Sequence, residues 1–309
     1  MSRHQRTLRR PEKSGSGKAI PLLLALGLLA ICLPGLAQEE GEKEAIFRGV
    51  GIHIKLRGAW ITFSGGDIDK GTAGMYDRMV AEVTSGGFEL AANDKKNFRS
   101  GYELTGDVVY YFTPAIGVGL GGSLVRSHQE STCLFHWPDS RFDYRLTGLP
   151  EVRVLSLRLG LFYALPISRL LSFCVSAGPE YHFADYDYSG TLTTPYSESA
   201  LVQETDARKL GIYGSLSLEI RMNRRLAFII EAFGRYAKIS GFEGKEVSYE
   251  WLGGQSTTIN EQGTLYFYKE GGYSRLDIIP AGTAGGQAAR EAVFDLSGVS
   301  LQAGFNFKF

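Results

Sequence analysis

The chain has 309 residues, with 33 basic and 33 acidic side chains, 39 glycines, 16 tyrosines and 18 phenylalanines. An even charge balance does not suggest a nucleic-acid partner. Glycine and aromatic residues with little helical periodicity point away from a helical bundle and toward an all-β protein.

The first 37 residues read as a secretory signal peptide. Arg3, Arg6, Arg9, Arg10, Lys13 and Lys18 make a basic n-region, AIPLLLALGLLAICLPGLA holds an apolar h-region, and Gly35 and Ala37 are small residues before the expected cut. Pro34 and those small residues argue against an uncleaved anchor, and bulky Ile31 argues against a lipoprotein at Cys32. Removing residues 1–37 takes away six basic residues and Glu12, which leaves 27 basic and 32 acidic side chains and a net charge of −5. Export permits a disulfide, but Cys133 and Cys174 are expected in different environments and unbridged. No later stretch of about 18 apolar residues reads as a transmembrane helix. Residues 38–48 are expected as a short periplasmic segment and 49–309 as one barrel domain.

Eight segments then alternate apolar and polar residues, the mark of a strand with one apolar face. They are VGIHIKLRGAWIT (50–62), GYELTGDVVYYF (101–112), IGVGLGGSLV (116–125) and VLSLRLGLFY (154–163), followed by LSFCVSAGPEYHF (171–183), LGIYGSLSLEIRM (210–222), LAFIIEAFGRYAK (226–238) and a last one over 299–309. The connections alternate too. TPA, LPISR and NRR are short; the segments 65–98, 127–150, 185–208 and 240–292 are long. Large aromatics on the apolar face gather at the strand ends. Tyr110, Phe112, Tyr163, Phe228, Phe307 and Phe309 fall at the short-turn end, and Trp60, Tyr102, Tyr181 and Tyr236 at the other. Two aromatic girdles around an aliphatic band fit the outward face of a transmembrane barrel better than a soluble sandwich. The expected fold is an eight-stranded, antiparallel, up-and-down barrel with short periplasmic turns and long extracellular loops. Ten strands remain an alternative if a hairpin in 240–292 reaches the membrane.

With leader, alternating strands, turn asymmetry and a terminal phenylalanine, the chain resembles the small outer-membrane β-barrel proteins of the OmpA/OmpX architecture. The resemblance covers about residues 46–309. It implies an outer-membrane location, contact with membrane lipid, and an assembly signal read by the outer-membrane assembly machinery. Leu301, Ala303, Phe305, Phe307 and Phe309 fit that signal.

The inward faces carry Lys55, Arg57, Glu103, Asp107, Arg158, Glu180, Glu219, Arg221, Glu231, Arg235 and Lys308. Eight strands enclose little more than side chains. Six basic and five acidic groups in a narrow lumen are expected to pair, because an isolated ion there is costly. Glu231 with Arg235, and Arg57 with Glu103 or Asp107, are the pairings the pattern suggests. The alternative is a narrow, porin-like ion path. The outward faces hold no Ser–His–acid set for a lipid-modifying enzyme. His53 and His182 fall at opposite rims, and Glu180, His182, Asp185 and Asp187 make only a common polar rim. His128, Cys133 and His136 share one long segment, but C-x-x-H alone is a weak metal signal. No enzyme activity, cofactor or metal is expected, and the protein is expected to be a monomer. GMYDRMVAEV (74–83) suits a short helix. KEVSYEWL and GTLYFYKE suit strands that extend the barrel strands or pair with each other. Trp251, Tyr266, Phe267 and Tyr268 either contact a protein or glycan ligand or pack onto the rim. The expected role is structural, adhesive or partner-binding.

Overall fold

A computed structural model describes residues 50–136, 143–194, 197–252, 255–280 and 289–309. The expected leader, 1–37, and the segment 38–48 lie outside the described residues. In chain order the elements begin with β1 (Gly51–Thr62), α1 (Gly66–Ser85), β2 (Glu89–Asp94), β3 (Ser100–Tyr111), β4 (Ile116–His128) and β5 (Ser131–His136). Then come β6 (Asp143–Pro166), β7 (Leu171–Thr193), β8 (Ser197–Arg221), β9 (Leu226–Tyr236), β10 (Lys238–Ile239) and β11 (Glu243–Leu252). The last are β12 (Gln255–Glu270), β13 (Tyr273–Ile279), β14 (Arg290–Glu291), β15 (Phe294–Asp295) and β16 (Gly298–Lys308).

Eight strands pair antiparallel in a ring. β1 pairs β3, β3 pairs β4, β4 pairs β6 and β6 pairs β7. β7 pairs β8, β8 pairs β9, β9 pairs β16, and β16 pairs β1. Each strand of the ring therefore has a hydrogen-bonded partner on both sides. These are the eight segments whose alternation is visible in the sequence. At one end three tight turns join neighbours, with Phe112, Ile167 and Met222 N–H groups donating to Ile116, Leu171 and Leu226 carbonyls at 2.9–3.1 Å.

The other end differs from expectation. β6, β7 and β8 run for 24, 23 and 25 residues, against 12 for β1 and β3. Much of 127–150 and 185–208, expected as loop, is strand. The reason lies in polarity. In β7 the even-numbered residues point inward throughout its outer half, but there they are Ala184, Tyr186 and Tyr188, all buried, while Asp185 faces out and is exposed. A polar outward row in a sequence otherwise read by its apolar outward row looks like loop.

The protruding halves of β6, β7 and β8 continue as a sheet ordered β2-β5-β6-β7-β8-β11-β12-β13. β11 and β12 pair with each other, and β11 pairs Ser197–Asp206 of β8. Neither pairs with β9, β16 or β1. α1 is twice as long as the expected helix over 74–83. Its first half carries Gly66, Gly71 and Gly74, which lowers helix propensity. Packing overrides that: a Cβ on Gly74 would lie 2.3 Å from the Ser274 carbonyl oxygen, and one on Gly71 would meet Leu276 at 2.4 Å. The helix thus approaches β13 as closely as glycine allows. Asp67 and Asp69 in its first turn suit the positive end of the helix dipole and tie it down. Asp67 accepts from Arg290 at 2.5 and 2.6 Å and from the Val293 N–H at 3.1 Å. Asp69 accepts from the Phe98 N–H at 3.0 Å and Arg99 Nε at 2.8 Å.

Helix and sheet bury one apolar core. It includes Phe63, Ile68, Met75, Phe98, Val152, Tyr186, Phe242, Leu276 and Phe294. A satellite cluster holds Tyr76, Cys133, Phe135 and Leu146. We call this region the cap. Cys133 is buried in it, whereas Cys174 is buried in the ring among Val109, Tyr111, Phe162 and Ala164, and both thiols are free.

Candidate functional site

The interior of the ring is the densest polar constellation in the described residues. Alternation places it there: Lys55 and Arg57 on β1, Glu103 and Asp107 on β3, Arg158 on β6, Glu180 on β7, Glu219 on β8 and Glu231 and Arg235 on β9 are all buried. Arg221 and Lys308, expected in the same network, sit half-buried at the turn end.

Nearest the turns, Lys55 Nζ lies 3.0 Å from Glu219 Oε1 and 5.0 Å above the Phe162 ring. Glu219 also accepts from Asn306 Nδ2 at 3.0 Å. His53 packs edge-on to Tyr111 at 4.8 Å and approaches Asn306 Oδ1 at 3.3 Å.

One level up, Asp107 takes both Arg57 and Arg158, the latter through two bonds of 2.8 Å. Arg57 also pairs with Glu231. Arg158 lies 5.0 and 5.1 Å from the Tyr213 and Phe233 rings, which stack on each other at 5.6 Å. Glycine makes the room: a Cβ on Gly121 would sit 1.8 Å from Asp107 Oδ1. Above this, Arg235 pairs with Glu103, which also accepts from Gln302 Nε2 at 3.2 Å. The expected Arg57–Asp107 pair forms. The expected Glu231–Arg235 pair does not, because four residues along a strand span about 13 Å; each instead finds a partner on another strand, Arg57 and Glu103.

Sequence reasoning missed one group. Ser156 and His182 are directly opposed across β6 and β7, and Ser156 Oγ lies 2.8 Å from His182 Nδ1. His182 Nε2 lies 3.9 Å from Glu180 Oε2. All three are buried, and neither water-sized cavity beside the cap touches Ser156. The opposed pair is visible only once register is known. Asp185 and Asp187, one turn of the pleat further on, face outward, away from His182.

Directly above Glu103 and Arg235 sits the floor of the cap. A water-sized cavity is lined by Glu103, Phe233 and Arg235 from below and by Ile61 and Leu296 of the cap core from above. Ile61 and Leu296 of the cap core thus abut the upper end of the polar interior. In the cap, burial raises the Glu246 carboxyl although it accepts from Gln203 Nε2 at 2.7 Å. Burial, then Asp187 and Asp206, raise Asp185. Phe267 packs against the cap core, and Trp251, Tyr266 and Tyr268 are half-buried. Among the described residues no cluster of three His, Cys, Asp or Glu side chains has metal-site geometry, and His128 lies beside Glu151 at 3.9 Å.

The outward face of the ring is apolar and exposed. Leu120, Leu159, Leu161, Leu210, Ile212, Val299 and Leu301 are each more than half exposed. Tyr110, Phe112, Tyr163, Phe307 and Phe309 are exposed toward the turn end, and Trp60, Tyr102, Tyr181 and Tyr236 toward the cap.

No family model matches the chain, and no curated protein does. Among solved structures it is similar to the outer membrane protein OprG from Pseudomonas aeruginosa, at 13% identity over 86% of this chain and 99% of that one, with a TM-score of 0.36.

Proposed function

We propose that the ring is a closed, eight-stranded barrel of a bacterial outer membrane, and that it holds the cap outside the cell as a folded binding or adhesion module. The observation that carries this is the exposed aliphatic band between two aromatic girdles. Soluble proteins rarely expose so large a continuous apolar surface, whereas a strand barrel in lipid requires it. The turn end then faces the periplasm and the cap faces out. Phe305, Phe307 and Phe309 lie in the periplasmic girdle, where the assembly machinery would read them.

A passive channel is the weaker reading. Its lumen would be filled by paired ions and closed by the cap core. The test is direct. The purified protein in a planar bilayer is expected to stay silent, while protease added to intact cells is expected to clip the cap and spare the ring. Steady conductance would favour the channel, and a cap untouched in intact cells yet clipped after lysis would reverse the orientation.

A further inference from the structure

The sheet of the cap has two open edges, and they are built differently. Among the described residues β2 pairs only β5, and residues 255–263 of β12 have β11 on one side and no strand on the other. β13 takes that second side only over 264–270. An unpaired edge offers a row of backbone N–H and C=O groups to any extended chain, and charges, prolines and bulges are the usual protection. β2 has Glu89 and Asp94 at its ends and a bulge between Leu90 and Ala92. The open stretch of β12 has Glu261 alone. It reads QSTTINEQ over 255–262, every residue exposed, with the strand-formers Thr257, Thr258 and Ile259 at its middle. Ile259, 55% exposed, is the most exposed large apolar side chain among the described residues of the cap.

The two edges would receive a second copy differently. Antiparallel pairing of β2 with itself sets Glu89 against Asp94 at both ends, and like charges directly opposite are destabilising. Antiparallel pairing of β12 with itself about Ile259 sets Thr258 against Asn260, Thr257 against Glu261 and Ser256 against Gln262. The two Glu261 carboxylates then stand about 13 Å apart along the strands, and Ile259 packs on its own copy at the twofold axis. The direction of the join follows from the register. Leu252 pairs Ser197, the end of β8 farthest from the ring, and Gln255 pairs Leu252, so the open stretch starts at the tip of the cap. A twofold that pairs one strand antiparallel with its copy runs perpendicular to the sheet. That sheet continues the ring wall through β8, so the axis turns the second ring to point the opposite way.

We propose that residues 256–262 of β12 are a strand-addition site for a second copy of this chain, joined tip to tip from a facing membrane. This deepens the adhesion reading above and rests on it. Strand addition supplies main-chain hydrogen bonds, and the Ile259 contact fixes the register. One short pairing is a weak contact, and many of them between two surfaces hold firmly.

The test uses the full-length protein displayed on cells of a host that does not clump without it. Protease clipping of the cap on intact cells is measured first for every variant. Native cells are expected to clump. Cells carrying Ile259→Lys, or Ile259→Glu, are expected to clump about tenfold less, because like charges then oppose each other at the twofold. Mixing these two populations, each with its own fluorescent marker, brings opposite charges together and is expected to restore mixed clumps. Leu90→Lys, on the β2 edge, is expected to leave clumping as in the native protein. Native cells that display the cap and stay apart, charge variants that clump as the native cells do, mixed populations that stay apart, or loss of clumping in Leu90→Lys each overturn the proposal. A cap clipped only after lysis overturns the orientation on which it rests, and is seen before clumping is scored.

Discussion

The ring and the cap are built from the same strands with opposite polarity. Below Phe183, β7 points Cys174, Ser176, Glu180 and His182 inward and Val175, Ala177 and Tyr181 outward. Above it, Ala184, Tyr186 and Tyr188 point inward and Asp185, Asp187 and Ser189 outward. β6 makes the same exchange between Val154 and Ser156, while on β8 the outward row turns polar from Leu210 to Arg208 and Asp206 and the inward row keeps buried Thr205 and Gln203 beside Ala207. One strand cannot serve both patterns in one solvent. The lower half is inside-out relative to a soluble protein, and the upper half is conventional. In the barrel reading proposed above, the solvent changes partway along the strand, from lipid to water.

The largest effect that separates the two halves is expected in the ring interior. Asp107→Ala leaves Arg57 and Arg158 without their shared carboxylate. Removing one partner of a buried pair costs about 3–5 kcal/mol, so the variant is expected to unfold at clearly lower urea in lipid vesicles. A midpoint unchanged from the native protein would mean that the network is not structural.

Next is the lipid face. Leu159→Arg puts a charge at mid-depth and is expected to cost about 2–4 kcal/mol. Asp206→Arg, outward in the cap half, is expected to cost little. Equal effects in vesicle unfolding would erase the distinction between the halves.

Smaller still is the cap's own packing. Gly74→Val drives a side chain into the Ser274 backbone, and overpacking costs about 1–3 kcal/mol. Limited proteolysis is expected to cut α1 and β13 sooner while the ring stays intact. Simultaneous loss of the ring would show one cooperative unit instead of two.

These regions were unequally legible in the sequence. All eight ring segments, and the face on which each charge lies, follow from alternation alone. The partners of Arg57 and Arg235 do not, because they depend on which strands lie across the ring. The outer halves of β6, β7 and β8 read as loop in the sequence because their outward row turns polar. Of α1 the sequence shows only 74–83, since close approach to β13, not propensity, holds Gly71 in the helix.

The smallest expected effect is a pH dependence confined to the cap. Burial raises the Glu246 carboxyl above its ordinary 4.5. The folded cap therefore holds that proton more tightly than the unfolded chain. The resulting stability is complete below 4.5 and is lost as pH rises through the higher folded value. Glu270, lowered by Arg275 and Arg78, acts in the opposite sense, but only as pH falls below 4.5. Amide exchange in β11 and β13, corrected for intrinsic rates, is expected to show a more stable cap at pH 5 than at pH 7.5. Glu246→Gln should flatten that difference, and a difference that persists would assign it elsewhere.

The change of solvent along β7 and β8 is tested most directly by spin labels placed one at a time on outward positions of the protein in vesicles, with Cys133 and Cys174 replaced. Labels at 175, 212 and 216 are expected to be relaxed by oxygen, which concentrates in lipid, and labels at 187, 204 and 206 by a water-soluble nickel chelate. Chelate access at 175, 212 and 216 equal to that at 187, 204 and 206 would contradict the account.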